Sequence, residues 1–216
     1  MDKKYHQFDV NSSKIHLLEF SDDFDPQDYL DTLSAEEIER YFGFKHEKRK
    51  REFVATRILK HELFGYQEIK YHDHGAPFIE NTGFISISHG PNLVGIATNS
   101  HHKIGFDIEK ISDKTKKIYT KYLNKHEESI FDIESEYDLT CAWSLKESMY
   151  KLAGRKLIDF KKDLLLLEKN SSNYSAKICN PKEEILLELT SFQFQDKIIT
   201  INSNEVKHVP KHESIS

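Results

Sequence analysis

The sequence predicts an α+β fold in two closely packed lobes, residues 1–103 and 104–216, and three observations predict it. Along the chain the order is helices then strands, followed by strand, helices and strands again up to Asn202. No stretch rich in Gly, Pro or Ser separates the halves, so the lobes have to pack directly on each other, meeting near residue 103. At 216 residues, 25.4 kDa and 38% hydrophobic content, the chain buries a sizeable core without disulfide or metal staples.

Ser34-Ala35-Glu36-Glu37 reads as a capping box, in which the Ser hydroxyl accepts from the third residue's N–H and the Glu reaches back. It opens a helix to about Phe44. A second helix runs from Glu47 to Phe64, with Val54, Ala55, Ile58, Leu59 and Leu63 as its buried stripe and Gly65 as its stop. Arg49, Lys50, Arg57 and Lys60 fall off that stripe. Short alternating runs bounded by turn residues predict strands at Ile69–Tyr71, Pro77–Ile79, Phe84–Ser88, Leu93–Thr98 and Lys103–Lys110. Helical patterns return at Thr115–Leu123, Lys125–Ile133 and Tyr137–Ala153, the last stopped by Gly154. Strands close the chain at Asp163–Glu168, Tyr174–Ile178, Ile185–Ser191 and Lys197–Asn202. From Val206 to Ser216 no apolar pattern is present, and fraying is expected.

Composition excludes several classes of function. With 31% charged residues, 8 Gly and 5 Pro, the chain is globular rather than disordered or low in complexity. The balance of 31 basic against 36 acidic residues lacks the footprint of a general nucleic-acid binder. The longest apolar run is Leu164–Leu167 and the chain opens Met-Asp-Lys-Lys-Tyr-His, so neither a spanning helix nor a signal peptide is expected, and the cytoplasm is the expected address. Cys141 and Cys179 stand in no metal-ligand spacing. Charge is concentrated locally, with seven Lys or Arg between Lys45 and Lys60 against Glu47 and Glu52, a patch suited to an anion.

Three segments carry candidate chemistry. In Lys103–Lys110, Ile104, Phe106 and Ile108 face one way and Gly105, Asp107 and Glu109 the other. Two carboxylates on one face suit either a solvated surface or a hard cation such as Mg²⁺. On the last long helix, Trp143, Glu147 and Lys151 fall at i, i+4 and i+8 and share a stripe, which read alone is an ordinary surface ion pair beside an aromatic residue. Ser88 and His89 close an alternating strand just before a Gly-Pro turn, where ligand-binding side chains tend to sit. His72, His74, His101 and His102 read as exposed turn residues, and Gly75-Ala76-Pro77 as a turn.

Taken together and in order, Gly75-Ala76-Pro77, Ser86-Ile87-Ser88-His89, Gly105-Phe106-Asp107-Ile108-Glu109 and Trp143-Ser144-Leu145-Lys146-Glu147-Ser148-Met149-Tyr150-Lys151 resemble the 4′-phosphopantetheinyl transferase superfamily, in its longer Sfp-type form. The resemblance covers roughly Ser34 to Arg155. It implies two similar α/β lobes related by a pseudo-twofold axis, and a Mg²⁺-dependent transfer of the 4′-phosphopantetheine arm of coenzyme A to a serine of an apo acyl or peptidyl carrier protein, releasing 3′,5′-ADP. By the same resemblance Asp107, Glu109 and Glu147 hold the metal, and Lys151 contacts the pyrophosphate. Arg40, Arg51, Ser88 and His89 bind the coenzyme, with Arg57 a further basic contact, and Glu127 is the candidate base for the attacking serine. It implies a monomer with no nucleic-acid or membrane partner. The other reading of the same fold is an inactive module that binds coenzyme A or the carrier.

Two positions depart from the family pattern. Ala76 stands where the family has Lys, removing a cation from the coenzyme site, so that the 3′-phosphate depends more on Arg40, Arg51 and His89. Gly90 follows His89 where the family has Ser or Thr, which removes a hydroxyl.

Overall fold

The computed structural model of the chain describes residues 3–154 and 157–211. Arg155, where the resemblance ends, and residues 212–216 of the tail lie outside them. The three main helices form where the periodicity puts them: α1 at Ala35–Gly43, α2 at Glu47–Phe64, and later α6 at Glu136–Leu152. The capping box at Ser34 is complete, with Glu37 N–H on the Ser34 hydroxyl and the Glu37 carboxylate on Ser34 N–H. Gly65 ends α2 at a positive φ of 59°.

Before Ser34 the sequence reading assigns nothing, and the structure adds two strands there, β1 at Lys4–Val10 and β2 at Ser13–Glu19, followed by a 3₁₀ turn at Pro26–Thr32. The strands of the middle segment are β3 at Lys70–Tyr71, β4 at Pro77–Phe78, β5 at Phe84–Gly90, β6 at Leu93–Asn99 and β7 at Phe106–Lys110. The helix expected at Thr115–Leu123 is two single turns, α3 at Asp113–Lys116 and α4 at Tyr119–Tyr122, and the one expected at Lys125–Ile133 shortens to α5 at Glu127–Ile130. Strands β8 at Leu164–Asn170, β9 at Asn173–Cys179, β10 at Glu183–Phe194 and β11 at Lys197–Asn202 follow. A further strand, β12 at Lys207–Pro210, replaces the expected fraying, because Glu183–Leu186 at the start of β10 offers it a free edge.

Two antiparallel sheets result. The first runs β1-β2-β6-β5, the second β7-β11-β10-β9-β8 with β12 on β10, and a separate two-stranded piece joins β3 to β4. Helix α2 covers the outer face of the first sheet, burying Val54, Ala55, Ile58 and Leu59 against Leu18, Val94 and Ile96. Helix α6 covers the outer face of the second, where Leu139, Ala142, Leu145 and Met149 meet Leu166, Ile178 and Ile198. The inner faces meet each other: Ile15, Leu17 and Ala97 pack on Phe106, Ile108, Ile199 and Ile201, with Phe8 against Phe192 and Phe194 at the rim. Each side-chain set alternates along its strand, which is how one sheet serves two apolar layers.

Where the sheets meet, side chains replace the missing ladder. Ser86 Oγ accepts from Phe106 N–H and Ser88 Oγ from Ile108 N–H, each at 3.1 Å, joining β5 to β7. Gly105 allows α6 to lie on β7, since a Cβ there would fall 1.9 Å from the carbonyl oxygen of Ser148. His102 is buried at 9% exposure rather than displayed on a turn: its ring joins Ser12, Asn99 and the Lys103 carbonyl at the crossing between the sheets. Arg57 and Lys60, off the apolar stripe of α2, are likewise buried. Both cysteines are free thiols, and among the described residues no helix is long and apolar enough to cross a membrane.

Candidate active site

The alternation of β7 turns Phe106 and Ile108 to the inner core and Asp107 and Glu109 to α6. Asp107 is 4% exposed and held by three hydrogen bonds: Oδ1 accepts from Ser88 Oγ and from Lys151 Nζ, both at 2.8 Å, and Oδ2 accepts from Ser144 Oγ at 2.9 Å. Lys151 Nζ also donates to Ser88 Oγ at 2.9 Å and to the Phe106 carbonyl at 2.8 Å. The helical stripe read from the sequence therefore brings its last member onto the first carboxylate of the strand.

Glu109 is held differently. Trp143 Nε1 donates to Glu109 Oε1 at 3.0 Å, and the indole is itself fixed between Tyr122 and Phe160. Burial pushes the Glu109 carboxyl up to about 7, the Asp107 charge adds to this, and Glu147 adds less, against the opposing Trp143 hydrogen bond and Lys114. Half-buried Glu147 thus acts electrostatically on Glu109 from α6. Among the described residues no three His, Cys, Asp or Glu side chains stand in metal-holding geometry. Lys151 pairs with Asp107 and not with Glu109, and the all-oxygen donors of the acidic set suit a hard cation.

On the opposite side of β5 lies a cleft of about 390 Å³. Consecutive strand residues point to opposite faces, so Ser88 serves the Asp107 cluster while His89 and Ile87 line the cleft. Arg40, Arg49 and Arg57 converge there with Phe53 and Tyr71. Arg57 is fixed by Glu37, Nε to Oε1 at 2.8 Å, and lies 4.1 Å over the Phe53 ring; Arg40 lies 4.6 Å over Tyr71. Gly75 and Pro77 form the rim, with Gly75 at φ 82° in the turn closed by its N–H on the His72 carbonyl.

Two expected site residues sit elsewhere. Glu127 is 0% exposed, and its carboxylate accepts from Lys146 Nζ at 2.7 Å, Asn124 N–H at 2.8 Å and Leu166 N–H at 2.9 Å. Lys146, also fully enclosed, spends its remaining protons on the carbonyls of Tyr122 and Phe160; burial pushes its pKa down against the pull of Glu127. In this arrangement Glu127 has no open face towards a docked hydroxyl. Arg51 does not line the cleft: it donates to the Ser21 carbonyl at 2.7 Å, and its buried Nε has no hydrogen-bond partner among the described residues.

Sequence reasoning missed Phe53, Thr56 and Tyr71 in the cleft and Ser144 at Asp107. Arg49 was legible as part of the basic patch. The others carry no chemical signal until the fold gathers them.

Residues 103–202 match the sequence model of the 4′-phosphopantetheinyl transferase superfamily, the segment that holds both acidic motifs. Over 147 residues the chain is 29% identical to the 4′-phosphopantetheinyl transferase HetI of Nostoc sp., covering 59% of this chain and 62% of that protein. The chain thus spans about three-fifths of the length of the curated relative it matches.

Proposed function

We propose, from the premise that residues 103–202 match the 4′-phosphopantetheinyl transferase superfamily, that this chain transfers 4′-phosphopantetheine from coenzyme A to a serine hydroxyl of an apo carrier protein. In the reaction the serine oxygen bonds to the phosphorus of the pantetheine arm, the bond from that phosphorus to the bridging oxygen of 3′,5′-ADP breaks, and the serine proton passes to water. The observation that carries the reading is the juxtaposition across β5: an acidic, lysine-paired cluster on one side and an arginine-lined cleft on the other, joined by Ser88 and His89. Two pseudo-twofold lobes in a monomeric, cytoplasmic enzyme belong to the same reading.

Phosphoryl transfer asks a protein for positioning and charge compensation more than for covalent chemistry. Asp107, Glu109 and Glu147 would hold Mg²⁺, which when bound supplies positive charge to the pyrophosphate and to the departing 3′,5′-ADP. Ser88 and Ser144 hold the Asp107 carboxylate, and Trp143 orients Glu109, so neither acid has to reorganise on binding. Lys151 brings a point charge to the same place. Arg40, Arg49, Arg57 and His89 suit the phosphate of the coenzyme's nucleotide, with Arg49 a substitute for the cation absent at Ala76. An acidic carrier would meet basic residues at the cleft.

The test is incubation with coenzyme A, Mg²⁺ and a panel of apo carriers from fatty-acid, polyketide and peptide-synthetase systems, read by intact mass. A carrier that gains one phosphopantetheine group supports the reading and names the acceptor class. Tight coenzyme A binding with no transfer to any carrier would replace it with the inactive binding module.

A further inference from the structure

His89 enters the cleft from β5, and its Nε2 stands 3.1 Å from Thr56 Oγ1 on α2. Thr56 is 1% exposed, so bulk water does not complete its hydrogen bonding. Its hydroxyl has one proton, and the Glu52 carbonyl, one helical turn back, lies 2.7 Å from it. A carbonyl oxygen only accepts, so the proton is committed to it. Towards His89 the Thr56 oxygen is left with a lone pair.

We infer that Thr56 is a positioning residue for His89: it accepts the Nε2 proton and holds the neutral imidazole as the Nε2–H tautomer, fixed to the cleft wall. The alternative, a Thr56 hydroxyl turned to a bare Nε2, would give up the 2.7 Å bond to Glu52 for one at 3.1 Å. Among the described residues, the charged and titratable groups named at the cleft compete little with Thr56 for the Nε2 proton. Arg40, Arg49 and Arg57 are donors, Glu37 is bound to Arg57, and the Glu52 carboxylate faces Lys48 and Arg49. Tyr71 shares the cleft as a phenol that meets Arg57.

One consequence rests on the coenzyme A reading above. With Nε2–H committed to Thr56, any further hydrogen bond that the ring donates comes from Nδ1, which then carries a proton only in the imidazolium. A phosphate held through this ring is therefore bound best at low pH, and Thr56 sets how its donor is aimed.

The deciding measurement is long-range proton–nitrogen NMR of the full chain at about pH 8, where an unshifted imidazole is neutral, with His89 assigned by its absence in His89→Gln. The expected pattern is Nε2–H in the wild type and in Thr56→Ser, and a loss of that preference in Thr56→Val. An Nδ1–H pattern in the wild type, or an unchanged tautomer in a folded Thr56→Val, overturns the inference; if that variant does not fold, the wild-type and Thr56→Ser spectra decide. In a transfer assay Thr56→Val should raise KM for coenzyme A about fivefold with a smaller change in kcat, and Thr56→Ser should restore it. An Nε2–H ring in a protein that does not distinguish coenzyme A from 3′-dephospho-coenzyme A would uphold the tautomer and overturn the coenzyme assignment of the cleft.

Discussion

Lys151 Nζ and Asp107 Oδ1 lie 2.8 Å apart, closing an ion pair between the last turn of α6 and β7 with both side chains largely enclosed. Ser88 of β5 joins the same pair, so one contact links both sheets and the helix. An ion pair in this position holds the acid ready without spending the second carboxylate, and the behaviour of its variants is correspondingly specific.

Asp107→Asn keeps the size of the side chain and the Ser144 contact but removes the charge that faces Lys151. Transfer should fall by about 10²-fold or more while the far-ultraviolet circular dichroism stays that of the wild type. A folded variant with wild-type turnover and wild-type Mg²⁺ dependence would remove Asp107 from the metal set.

Glu109 gives the metal-free protein a pH dependence. Its folded-state pKa of about 7 lies above the ordinary carboxyl value of 4.5, so between those limits the native state binds more protons than the unfolded chain. Stability should therefore fall as pH rises from 4.5 towards about 7, by at most about 1.4 kcal/mol per pH unit, and then level off. Denaturant titrations with a chelator should show this slope in the wild type and lose it in Glu109→Gln. Adding Mg²⁺ at neutral pH should recover stability in the wild type alone.

Glu127→Gln separates a structural acid from a base. Breaking the enclosed pair with Lys146 should cost about 3–5 kcal/mol in urea unfolding, because an ammonium is left without its counter-charge. At low temperature, where the variant is folded, turnover should remain within about tenfold of wild type. Wild-type stability combined with a thousandfold loss of kcat would restore the role of base.

Arg40→Ala should raise KM for coenzyme A about tenfold more than KM for 3′-dephospho-coenzyme A, since its guanidinium lines the cleft. Arg51→Ala should leave that ratio unchanged and lower thermal stability, through the lost bond to the Ser21 carbonyl. Equal ratios for both variants would place the 3′-phosphate outside the cleft.

Local signals in the sequence determined the capping box at Ser34, the extents of α2 and α6, the strands from β5 to β11 and the face that Asp107 and Glu109 share, because each depends on spacing within one element. Tertiary structure alone decided what depends on distant partners. Strand β1 has only a weak pattern of its own and is held by β2 and by Phe192 and Phe194; β12 exists because β10 leaves an edge for it. Arg57 and Lys60 look solvent-facing in a helical projection, yet Arg57 is buried because Glu37 on the preceding helix supplies its charge and Phe53 its packing surface. The same holds for Glu127. A glutamate at the start of a one-turn helix reads as an accessible acid until Lys146 arrives from α6, 19 residues on, and encloses it. Spacing fixes which way a side chain leaves its own backbone; what it meets there is set by packing between elements, and burial and charge compensation follow from that meeting.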